Sequence, residues 1–281
     1  MRSTGIHSRR TCAAHASLLA VLLVLAAVAP RRTGAQSSQT LEPGQLPLLI
    51  DIAFSRALAT TVADDHAAGT VTLAAGAARQ TESMRLRLNG QWGYAAEVRV
   101  PFGERQRWGI ELSGARYRGR GEGTYETHDT LLTGGGGTSS DLRVYHLRRM
   151  TSWRTTLGVA RGVPVGSYTG VAFLGGTYGR IRSNGSTCPS GSTTGSPVCA
   201  PVGALDMDTP GVTTGFDVMS RPWHRLVVRL GGKADVLSID EADARRALKP
   251  PALTSVATSE SERVWRVLPS VTFGVLIQFR R

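Results

Sequence analysis

The chain has 281 residues, with 33 Lys plus Arg against 21 Asp plus Glu, a formal charge of +12, and 33 Gly. At 41% hydrophobic and 19% charged it is not a disordered polyelectrolyte, and no block of like charges gives it a basic tail or arm. Apart from Lys233 and Lys249 every Lys or Arg is Arg, dispersed among apolar positions singly or at most in pairs, which excludes the basic stripe and recognition motifs of a nucleic-acid binder.

The N-terminus carries Arg2, Arg9 and Arg10, then an apolar run from Ala13 to Ala29, then the small residues Thr33-Gly34-Ala35. A basic start, an apolar middle and a small-residue end predict a secretory signal peptide over 1–35, cleaved before Gln36. Its removal takes away five Arg and no acid, leaving +7 on the mature chain. Residues 36–46 read as a flexible lead-in, and 47–281 as one domain.

The mature chain is patterned with period two. Leu48, Ile50, Ile52 and Phe54 share one face, and 70–78 is a second short candidate strand. From Met84 to Phe102 every even position is apolar or Gly, while Arg85, Arg87, Glu97 and Arg99 fall among the odd ones. Asn89-Gly90 could divide this run into a hairpin. Further alternating runs lie near 107–118, 141–160, 165–183, 211–220 and 223–238, and the last includes Val271, Phe273, Val275, Ile277 and Phe279. No comparable helical period follows the leader, so the expected class is all-β. Short polar connections at 103–107, 161–166 and 219–222 alternate with long segments at 119–140, 184–210 and 240–262. An up-and-down antiparallel transmembrane barrel has this asymmetry, with short turns on one side and long loops on the other. Seven strands plus one of the two early candidates give eight, and ten is the alternative.

The export signal, the alternation, the one-sided loops and a final strand ending near Phe279 together resemble the small outer-membrane β-barrel family. The resemblance implies outer-membrane location. It also implies that Val271, Phe273, Val275, Ile277 and Phe279 look like the terminal-strand signal read by barrel-assembly machinery, here followed by Arg280-Arg281. It carries no activity. The expected partners are outer-membrane lipids and that machinery, for a monomer without nucleic acid.

On a continuous parity, Trp92, Tyr94, Phe102, Trp108, Tyr117, Trp153, Phe216 and Phe279 face lipid as interfacial aromatics. The lumen then holds Arg85, Arg87, Arg99, Arg154, Arg225, Arg229 and Lys233 with Glu97, Glu111, Asp217 and Asp235, a balance of +3. An eight-stranded interior is just wide enough for side chains to fill, so these groups are expected to pair. Cys188 and Cys199, eleven positions apart in a loop-like stretch of an exported chain, are an expected disulfide. Arg116, Arg118 and Arg120 read either as contacts to anionic lipid headgroups or as solvated loop charges. Asp240-Glu241-Ala242-Asp243 reads as an acidic loop, or at most an external cation site.

Catalytic motifs are sparse. His66, His128, His146 and His224 lack metal-ligand spacing, and Gly134–Gly137 lacks the Lys-Ser/Thr of a phosphate loop. His128-Asp129 with Ser139-Ser140-Asp141 is the only imaginable nucleophilic grouping. The expectation is a non-enzymatic barrel without cofactors, with a structural or loop-mediated surface-binding role. A narrow channel with slight anion preference and a secreted β-sandwich binding module are the alternatives.

Overall fold

A computed structural model describes residues 42–73, 76–103, 105–132, 136–183, 204–220, 226–249 and 263–278. The predicted leader, Cys188, Cys199, Arg225 and Phe279 lie outside the described residues.

The eight-strand expectation holds, with the early candidate at 48–55 as the eighth. β1 (Leu49–Ala57) pairs with β4 (Gln91–Phe102) on one side and with β10 (Arg263–Gln278) on the other. From β4 the ladder continues through β5 (Trp108–Leu131), β6 (Thr138–Val165), β7 (Tyr168–Ser183), β8 (Leu205–Met219) and β9 (Leu226–Asp240) to β10. Every pairing is antiparallel, and the eight strands close into a ring. A closed ring has no strand edge, so the β-sandwich alternative is excluded. Connections at one end, here called the lower end, are tight. Gly166, at φ +58°, supplies the left-handed backbone that the two-residue turn between Val165 and Tyr168 requires.

The other end is built up with more strand. β2 (Thr60–Leu73) and β3 (Gly76–Leu88) form a hairpin inserted between β1 and β4, and β3 pairs with the upper half of β5. Residues 119–140, expected to be a long loop, are largely the continuation of β5 and β6, paired as far as Thr130 and Thr138. A four-stranded sheet, β2-β3-β5-β6, thus rises above the ring.

The side-chain pattern inverts where this upper sheet begins. In β4 the even residues Trp92 and Tyr94 point outward, whereas in β3 the even residues Met84, Leu86 and Leu88 are buried inside. The break at Asn89-Gly90 is therefore a change of face and not a hairpin. β6 does the same through a bulge. Gly119 and Gly121 of β5 oppose Met150 and Leu147, so β6 gains a residue there and its inward set switches from even to odd. Arg85 and Arg87, expected in the lumen on a continuous parity, consequently face outward on the upper sheet. Tyr117, expected on the lipid face, is instead buried in the interior.

The chain is not wholly β. α1 (Glu241–Leu248) follows β9 directly, where an acidic loop was expected. Asp240 caps it, its Oδ1 accepting from the Ala242 N–H at 3.0 Å. Glu241 ties it to the walls, accepting from the Asp64 N–H at 2.9 Å and from Arg266 at 2.8 Å, and Arg245 pairs with Asp65. Ala244, Ala247 and Leu248 are buried among Val62, Met84, Leu86, Tyr125, Leu147 and Met207. Gly123 makes room for the helix, since a Cβ there would meet Leu248 Cδ2 at 2.5 Å. Leu248→Ala is expected to cost about 2–5 kcal/mol of local stability. Hydrogen exchange should read this as faster exchange of the Val62 and Leu86 amides with the lower ring unaffected, and unchanged protection would show that the helix does not stabilise the upper end.

Candidate functional site

The interior of the ring has three layers. At the lower end Leu46, Leu49, Ala160, Val171, Phe173, Met219 and Val227 form an apolar plug. Leu46, at the end of the stretch read as flexible, is fully buried and its N–H donates to the Gln106 carbonyl at 2.8 Å. At the upper end lies the core around α1. Between the two sits an ionic layer, because strand positions facing neither lipid nor an apolar plug can carry charge only in compensated groups.

Two side chains organise that layer. Arg99 of β4 is fully buried and donates to Glu97 Oε1 at 2.5 Å and to Glu111 Oε2 at 2.7 Å. Arg229 of β9 reaches across the ring to Asp51 Oδ2 at 3.0 Å, Asp217 Oδ2 at 2.5 Å and Glu97 Oε2 at 2.7 Å. Lys233 joins Glu111 at 2.7 Å and Glu97 at 3.2 Å, with its ammonium 4.8 Å from the Phe173 ring centroid. A second group pairs Arg154 of β6 with Asp235 of β9; Thr213 donates to Asp235 Oδ1 at 2.5 Å, and Arg154 lies 5.0 Å from the Tyr117 ring centroid. These bonds tie β1, β4, β5, β6, β8 and β9 across the lumen. A remaining cavity of about 30 Å³ is lined by Asp51, Glu97, Tyr117, Arg154, Arg229 and Lys233, enough for water and too small for a solute.

Eight of the eleven residues expected in the lumen are therefore there: Glu97, Arg99, Glu111, Arg154, Asp217, Arg229, Lys233 and Asp235. Arg85 and Arg87 are not, and Arg225 is outside the described residues. Asp51 was missed, although its odd position among Ile50, Ile52 and Phe54 marks it as inward. With Asp51 included, five carboxylates meet four cations among the described residues, a balance of −1 where +3 was expected.

The outer wall is the reverse of a soluble surface. Ile52 and Phe54 are 75% and 74% exposed, and Leu230, Phe273 and Leu174 continue the apolar surface around the ring. Aromatic side chains bound it. Trp92, Tyr94, Trp153 and Tyr178 lie toward the upper sheet, and Phe102, Trp108 and Tyr168 toward the lower turns. Trp153 and Tyr178 are in tilted contact with ring centroids 5.7 Å apart. From Trp92 to Phe102, strand β4 runs about 33 Å, which at the usual barrel tilt of about 40° gives roughly 25 Å of height, the thickness of a membrane-spanning apolar band.

Above the band, Arg180 pairs with Asp206 at 2.5 Å and Arg182 with the same carboxylate at 3.1 Å. The Arg180 hydrogen bond holds the Asp206 carboxyl below the usual range. Across the β5–β6 ladder His128 stands opposite Ser140, but its Nε2 pairs with Glu126 Oε1 at 2.9 Å, and no hydrogen bond among the described residues links that ring to the hydroxyl.

No protein-family model and no curated protein matches the chain. Among solved structures it is similar to Ail, the attachment invasion locus protein of Yersinia pestis, alone and in complex with the heparin analogue sucrose octasulfate. Each match has 10% identity, covers 83% of this chain and 100% of the other, and has a TM-score of 0.37. The closed antiparallel ring, its apolar outer band between aromatic borders and its charged interior are by themselves the architecture of a small outer-membrane β-barrel.

Proposed function

We propose that the protein is a non-conducting outer-membrane β-barrel that carries a sheet above the membrane, with a structural role or a surface-binding role played by that sheet. One observation carries this reading: the burial pattern inverts at a single level on β3/β4 and on β6. Below that level the outside is apolar and the inside charged, as a membrane requires. Above it the outside is polar, with Arg79, Thr81, Arg85 and Arg87 on β3, and the inside holds the apolar core of Met84, Leu86 and Leu88 around α1, with Gln80 and Glu82 buried nearer the top. In this reading residues 1–35 direct export, the outward Val271, Phe273 and Val275 belong to the terminal signal for assembly, and Cys188 pairs with Cys199.

The anion-channel alternative is disfavoured by the plugs at both ends and the compensated ionic layer between them. Purified protein refolded in detergent is expected to run at different mobilities unheated and boiled, and to give no unitary currents in a planar bilayer. An unshifted band would refute the barrel; ion-selective current steps would refute the closed lumen.

A further inference from the structure

Exposed arginines without a carboxylate partner among the described residues line β5. On β5, Arg116, Arg118 and Arg120 are all exposed and alternate along the strand, so they form an outward ladder at about 6.8 Å spacing. They lie in strand, not in a loop. Across the ladders Arg56 stands opposite Trp92, and Trp92 opposite Arg118, so two guanidinium side chains flank one indole. Arg56 lies 4.8 Å from that ring centroid. One row below, Tyr94 stands opposite Arg116. None of these four arginines has a carboxylate partner among the described residues. On the β7–β8 side, by contrast, Arg180 and Arg182 share Asp206, and Asp208 lies 3.5 Å from Arg180.

Like charges at such spacing repel each other, and the nearest carboxylate continuing this outward row, Glu122 two positions above Arg120, forms no ion pair with it among the described residues. The flanking aromatics fix the depth: Trp and Tyr sit where acyl chains give way to headgroups. Guanidinium groups at that depth meet phosphate, which they bind by paired charge-assisted hydrogen bonds. We propose that Arg56, Arg116, Arg118 and Arg120 form a one-sided site for the phosphorylated headgroup of a lipid in the surrounding leaflet. This rests on the membrane-barrel reading above. The site faces a bilayer, so its ligand is a lipid and not a soluble anion.

The test uses the full barrel in phosphatidylcholine nanodiscs doped with phosphatidic acid, whose headgroup is a phosphomonoester, with retained lipids counted by native mass spectrometry. Wild type is expected to retain phosphatidic acid selectively. A variant carrying Arg116→Ser, Arg118→Ser and Arg120→Ser should lose that selectivity by on the order of a hundredfold. Arg180→Ser with Arg182→Ser should retain it. Equal selectivity in wild type and the β5 variant overturns the site, as does pyrophosphate binding to the detergent-solubilised barrel as tightly as the lipid does. A wild type whose band does not shift on boiling fails earlier, at the barrel itself, whereas a shifting wild type without selectivity fails only here.

Discussion

Replacing Arg229 with Met is expected to be among the most damaging single changes in the protein. The side chain is 1% exposed and contacts Asp51, Glu97 and Asp217 at 3.0 Å or less. Met keeps an unbranched apolar stem and loses the guanidinium with its charge, so three buried carboxylates are left with less compensation. Removing one partner of a buried ion pair costs about 3–5 kcal/mol, chiefly because the remaining charge stays desolvated. Here the loss acts on a layer that already carries one more acid than base, so the cost should reach at least that range. Urea titrations of folding into phosphatidylcholine vesicles, followed by heat-modifiable mobility, would measure it. Arg229→Met combined with Asp51→Asn and Asp217→Asn removes charges of both signs and should recover much of the loss. Arg180→Met, which breaks a half-exposed pair, should change stability by about 1 kcal/mol or less. If Arg229→Met unfolds at the wild-type urea midpoint, the ionic layer does not hold the ring together.

How much of this layer could be read beforehand depends on which residues are considered. Glu97, Arg99, Glu111, Arg229 and Lys233 follow from alternation, because below the inversion level each strand keeps one face to lipid. Arg85 and Arg87 do not follow, for a physical reason. Period-two alternation reports that two faces differ and is silent on which face is wet. Met84, Leu86 and Leu88 carry the same signal as Trp92 and Tyr94, yet they are buried by the core around α1 while the latter face lipid. Only the environment changes, and its boundary at Asn89-Gly90 looks in sequence like a turn. The strand at 119–131 was obscured by Gly121 and Gly123, residues that normally weaken a strand; Gly123 is Gly because Leu248 packs against it. The helix at 241–248 was too short to register a period, and its acids suggested a loop. Glu241, one of those acids, is buried and bonded to Arg266. These misreadings share an origin: contacts between distant segments decided the role of residues whose local pattern was ambiguous.

The same inversion makes a second large effect testable, since exposure should predict opposite outcomes at different heights. Ile52 is 75% exposed, and in a protein surrounded by water Ile52→Arg would be harmless or favourable. In this barrel it lies on the lipid face of β1, two positions below Phe54 and four below Arg56, the first outward charge on that strand. An Arg near the bilayer midplane costs about 2–4 kcal/mol, falling toward zero at the interface. Ile52→Arg should therefore lower stability in vesicles by that amount. Thr81→Arg, outward on β3 above the inversion, should stay within about 0.5 kcal/mol of wild type. Leu86→Arg completes the comparison. It is fully buried inside the upper core, so an unpaired guanidinium there should be costly although the residue sits well above the band. The expected order is damage at an exposed site within the band, none at an exposed site above it, and damage at a buried site above it. A soluble protein would tolerate both exposed substitutions alike, so equal urea midpoints for Ile52→Arg and Thr81→Arg would refute a membrane around the ring.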